Sequence, residues 1–82
     1  MAKKRSALER VRNNPNNATF KDLQDILEMY GFKLRDVSGD HFQFKRPGFR
    51  TIPLPRNQRP VSIIIVNQVL SAVDLLDDLL AK

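Results

Sequence analysis

Eighty-two residues allow one small domain and leave no room for a cofactor fold built from repeated βαβ units. Ten Leu and five Phe, in a chain 41% hydrophobic and 28% charged, supply a core and argue against wholesale disorder. Cys is absent and His occurs once, which excludes disulfides and thiolate sites and leaves too few soft ligands for zinc, so neither metal nor cofactor is expected. The net charge is +5, distributed unevenly. Residues 1–66 carry 13 Lys/Arg against 6 Asp/Glu, whereas residues 67–82 carry one Lys against three Asp. From His41 to Pro60 there are five Lys/Arg and no acid, a field that attracts polyanions. The longest apolar run is Ile63–Val66, and no apolar stretch follows the basic start, so a membrane location is not expected and a cytoplasmic one is.

Taken in chain order, Ser6 and Glu9 have capping-box spacing, and Ala7, Leu8 and Val11 mark a narrow stripe. The pattern predicts a short helix over Ser6–Asn13, broken by the turn-forming run Asn13–Asn17. Thr19 and Asp22 form a cap-like pair. Phe20, Leu23, Ile26, Leu27 and Tyr30 then recur at helical spacing up to a terminating Gly31. Phe32–Val37 and His41–Arg46 alternate apolar and polar residues around Ser38-Gly39-Asp40, which reads as a β-hairpin. Pro47-Gly48 makes a further turn, and Phe49–Leu54 reads as a third strand whose Pro53 suits an edge. Pro55–Pro60 is a basic loop. From Ser62 to Leu80 the residues Val66, Val69, Leu70, Val73, Leu76 and Leu80 share a helical face, although the β-branched Ile63–Ile65 leave its start open to strand. The order α, α, β, β, β, α predicts an α+β domain, an antiparallel three-stranded meander packed on helices.

A three-residue loop at Ser38–Asp40 pairs Val37 with His41, Arg35 with Gln43, Lys33 with Lys45, Leu34 with Phe44 and Phe32 with Arg46. One face is then apolar, and the other presents Lys33, Arg35, Gln43, Lys45 and His41. A single imidazole at a strand start, beside cations that hold phosphate, is a candidate acid/base group. Arg46 and Arg56, from the acid-free stretch, join the candidate nucleic-acid contacts. Gly39 and Asp40 are expected to shape the turn. Phe32, Phe42, Phe44 and Phe49 are expected in the core in preference to stacking on bases. Asp74, Asp77 and Asp78 form an acidic face on the last helix.

The stretch Ala18–Leu76 resembles the HicA (also called YcfA-like) family of RNA-cleaving toxins from toxin–antitoxin pairs. The likeness is carried by FKDLQDILEMYGFKL at 20–34, by SGDHFQF at 38–44, by PGFRTIPLPRN at 47–57 and by the closing helix. The resemblance implies a double-stranded-RNA-binding-like αβββα core over residues 18–80, preceded by a helix and Asn-rich linker at 1–17, all in a single domain spanning 1–82. It implies metal-independent mRNA cleavage with His41 as the catalytic residue and Gly39 as the signature glycine. It also implies a HicB-like antitoxin partner, with the free chain a monomer or weak homodimer. Asp40, Phe42 and Asn57 depart from the family, which often has Ser, His and His at these places.

Overall fold

A computed structural model describes residues 2–80. Met1, Ala81 and Lys82 of the expected domain lie outside the described residues. The order of elements follows the sequence reading: α1 (Ala2–Asn13), a 3-10 turn (Pro15–Asn17), α2 (Phe20–Met29), β1 (Lys33–Ser38), β2 (His41–Lys45), β3 (Ile52–Pro55) and α3 (Ile63–Leu80). The fold is α+β, with three helices and an antiparallel sheet in the order β1-β2-β3. No helix among the described residues is long and apolar enough to cross a membrane.

α2 has the ends its sequence promises. Thr19 Oγ1 accepts the Asp22 N–H at 3.1 Å, which satisfies one of the orphan donors of the first turn. At the other end Phe32 N–H donates to the Leu27 carbonyl (2.9 Å) and Gly31 N–H to the Glu28 carbonyl (3.1 Å). This is a Schellman closure, and Gly31 takes its left-handed position at φ +87°. α3 begins at Ile63 as helix, because Ser62 Oγ accepts the Ile64 N–H at 3.2 Å and outweighs the strand preference of three isoleucines. α1 starts earlier than its Ser6–Glu9 pair suggests, so Ser6 sits within the helix and is not its cap.

The core joins Leu23, Ile26 and Leu27 of α2, Val66, Val69, Val73 and Leu76 of α3, and Phe32, Phe44, Ile52 and Leu54 from the sheet side. Ala7 and Val11 of α1 are equally buried, so the first helix docks on the rest of the fold. Arg10 pairs with Asp22 (2.7 Å), and Arg12 reaches Asp74 (2.8 Å) and Asp77 (3.6 Å). The expected acidic face of α3 is therefore partly engaged within the molecule, and Tyr30 Oη also donates to Asp77 at 2.7 Å. Leu80, expected on the buried face, is exposed.

The hairpin register is right at its open end and shifted at its turn. Lys33 faces Lys45 and Leu34 faces Phe44, as expected, but Arg35 is bulged out of the ladder. Beyond it Asp36 faces Gln43, Val37 faces Phe42 and Ser38 faces His41, in place of the expected Arg35–Gln43 and Val37–His41 pairs. The turn shrinks to Gly39-Asp40. Gly39 takes φ +62° and Asp40 does not, the pattern of a II′ turn whose twist matches the strands. The bulge absorbs the residue that the shorter turn returns to β1. Phe32 and Arg46 fall outside the strands and do not pair.

β3 covers Ile52–Pro55 and not Phe49–Leu54, since Pro47–Phe49 are held in the turn that precedes it. Pro53 and Pro55 lack N–H groups, so β3 bonds to β2 through Ile52 and Leu54, opposite Phe44 and Phe42. Its outer edge is blunted by the same prolines. On the opposite edge, Asp36 Oδ1 accepts the Val37 N–H at 2.9 Å, removing an outward donor from β1.

Candidate active site and nucleic-acid interface

His41 opens β2 directly after the Gly39-Asp40 turn, and its ring is half-exposed. Its Nδ1 lies 3.1 Å from Asp40 Oδ1. The contact is an ion pair when the ring is protonated. Asp40 also anchors the next segment: its carbonyl accepts the Arg56 N–H at 2.7 Å. Asp40 thus joins the turn before His41 to the loop after β3.

Side chains of β2 alternate, so His41, Gln43 and Lys45 share the sheet face turned away from Phe42 and Phe44. Lys33, directly across from Lys45, belongs to the same face. Like charges on opposed cross-strand positions cost stability. Both lysines are exposed, and neither has a carboxylate partner among the described residues. Asp36 enters this face opposite Gln43 in the place expected for Arg35, so it is less basic than the sequence suggests. Arg35, displaced by the bulge, instead lines a shallow hollow with Lys45 and the Pro47–Phe49 turn.

The two remaining arginines have different fates. Arg46 is half-buried, and its Nη1 donates to the Tyr30 carbonyl at 3.1 Å while its guanidinium lies 5.7 Å from the Phe49 ring centre. It caps α2 and is thereby separated from the candidate RNA contacts. Arg56 is exposed, 5.3 Å from the ring centre of Phe20 and 5.7 Å from that of Phe42. Those two rings meet edge to face at 5.3 Å. Phe32 and Phe44 are fully buried as expected, whereas Phe42 and Phe49 are only half-covered.

The sequence reading missed Phe20 and its neighbours Lys21 and Arg59 as part of this end of the molecule. Phe20 had every mark of a core residue on the α2 stripe. The only signal that sets it apart is its place at the first helical position, where the side chain reaches past the helix end. No three His, Asp or Glu residues among those described cluster as metal ligands. Comparisons with protein-family models, with curated proteins and with solved structures find no match.

Proposed function

We propose that this chain is a metal-independent endoribonuclease of the HicA kind, the toxin of a toxin–antitoxin pair, built on a double-stranded-RNA-binding-like αβββα core. The observation that carries the reading is the setting of its one histidine. His41 is open to solvent, held beside Asp40, and shares a sheet face with Lys33 and Lys45, which have no carboxylate partner among the described residues. The short motifs at 38–44 and 47–57 add the family resemblance.

The chemistry that fits is transfer within the RNA strand. His41 Nε2 takes the proton of a ribose 2′-hydroxyl. The oxygen forms a bond to the adjacent phosphorus, and the bond from phosphorus to the 5′ oxygen of the next nucleotide breaks. The leaving oxygen takes a proton from water and the imidazolium returns its own to the hydroxide so formed, giving a 2′,3′-cyclic phosphate and a 5′-hydroxyl end. Asp40 stabilises the imidazolium formed in the first step. Lys33 and Lys45 stand four strand positions from His41, roughly 13 Å along β2, with Gln43 between. That spacing suits phosphates on the flanking strand better than the one being cleaved.

A HicB-like antitoxin is the expected partner, in the cytoplasm. Ile64, Leu75 and Leu79 are exposed on α3 and offer it an apolar surface, as they would offer a second copy in a weak homodimer. A non-catalytic RNA-binding module is the second reading, favoured by the Lys33–Lys45 pair, which needs no histidine to hold RNA. The two part on substrate chemistry. The purified protein is expected to cleave an oligoribonucleotide to cyclic-phosphate ends and to leave the all-DNA oligonucleotide of the same sequence intact. Comparable cleavage of both would contradict a mechanism that needs the 2′-hydroxyl.

A further inference from the structure

We propose that the groove between the start of α2 and the Arg56–Pro60 segment is a subsite for one nucleotide flanking the cleavage point, with Arg56 as its platform. The proposal rests on the endoribonuclease reading for what lies next to it, but its own observations are separate. The cavity holds about 480 Å³, within the range of small-ligand sites, and is lined by Phe20, Lys21, Gln24, Arg56 and Arg59 among others. Three of these are cations, and no acidic residue lines the groove.

Arg56 is set in place before any ligand arrives. Its guanidinium rests against Phe20 and Phe42, at 5.3 and 5.7 Å from their centres, and its own N–H is tied to the Asp40 carbonyl. No carboxylate pairs with Arg56 or Arg59 among the described residues. A planar guanidinium held by rings and facing water offers two things to RNA: an unstacked base lies against its plane, and its outer N–H groups fork a phosphate. Lys21 lies 3.1 Å from Asp25, but this exposed pair is weak and exchanges readily for a phosphate.

The walls are held as well. Val61 N–H donates to the Ala18 carbonyl at 2.9 Å, and Gln58 Oε1 accepts the Ser62 N–H at 3.1 Å, so the far end of the loop is pinned, as the Arg56 N–H pins its start. Holding a site in its bound shape lowers the ordering cost of binding. Position fixes the role. Pro55 is paired with His41 across the sheet and the next residue, Arg56, turns to the Phe42 side, so the groove lies round the end of β2 from His41 and a strand bound at His41 reaches it by wrapping over that end.

The test measures fluorescence anisotropy of a short labelled oligoribonucleotide on the full chain, with His41→Ala as background so that the probe survives. Arg56→Ala is expected to weaken binding on the order of tenfold, the scale of one lost stacking contact. Arg56→Lys is expected to restore little of it, because it keeps the charge and loses the plane. Arg59→Ala, a rim change, is expected to weaken binding severalfold, and melting temperatures should stay together across the set. Unchanged affinity in both Arg56→Ala and Arg59→Ala would overturn the subsite even if the wild type cleaves RNA. Equal binding of poly-glutamate through Arg56 would also overturn it, in favour of an acidic protein segment. If the wild type fails to cleave while Arg56→Ala still weakens RNA binding, the subsite stands and the cleavage reading falls.

Discussion

Gly31 and Gly39 both sit at positive φ, yet they answer to different surroundings. At Gly39 a Cβ would meet nothing within 4 Å, so only the left-handed backbone resists substitution. At Gly31 the same atom would run into the Arg46 guanidinium, which donates to the Tyr30 carbonyl. Gly39→Ala is therefore expected to cost roughly 1 kcal/mol. Gly31→Ala should cost about 2–4 kcal/mol, because it adds the loss of the α2 cap to the backbone cost. Urea unfolding of the two variants checks the order, and equal losses would mean that Arg46 is not held as described. The comparison also separates the two arginines. Arg46 serves the fold through its bond to the Tyr30 carbonyl, whereas Arg56 is exposed and set on two rings. Nothing in either residue type distinguishes them. The third dimension does, since Arg46 stands beside the end of a helix and Arg56 beside the start of one.

α1 adds a layer behind α2, and its attachment is apolar before it is ionic. Ala7 and Val11 are fully buried, while the Arg12 pair with Asp74 is open to water on both sides. Val11→Ala is expected to destabilise by roughly 1–3 kcal/mol through lost burial and the cavity left behind. Arg12→Ala should cost under about 1 kcal/mol, the ordinary scale of an exposed ion pair. Chemical denaturation resolves the two, and the reverse order would show that the ion pairs, not the apolar contact, dock the helix. The elements differ in how far the sequence discloses them. α2 is readable end to end because Thr19 and Gly31 act locally on the backbone. The bulge at Arg35 is not readable, because one extra residue leaves the alternation intact on each side of it. That single residue brings Asp36 opposite Gln43 on the His41 face, where the alternation places Arg35. His41 was legible because it is the sole histidine. The Arg56–Phe20–Phe42 group was not, since it exists only when the first turn of α2 meets the loop after β3.

At the scale of the molecule, helices α2 and α3 pack on one side of the sheet, against β3 above all, and leave the other side to solvent. β1 is exposed along its whole length, Leu34 and Val37 included. The bulge and the Asp36 cap blunt that edge, and Pro53 and Pro55 blunt the opposite one, so the face is open while its borders resist strand addition. Positive charge lies at both ends of the strands, with Lys33 and Lys45 on the open face at one end and Arg56 on the Phe42 side at the other. His41 stands between Gln43 and the Arg56 loop, the only imidazole along the track. A polyanionic strand laid along it would pass the histidine, and that arrangement is what the endoribonuclease reading requires of the whole chain. The most direct measurement is RNA integrity after purified wild type and His41→Ala are each incubated with mRNA in excess EDTA. The account predicts fragments from the wild type and a loss of cleavage on the order of 10²–10⁴-fold in the variant, with RNA binding retained. Equal cleavage by both proteins, or none by either, would contradict it.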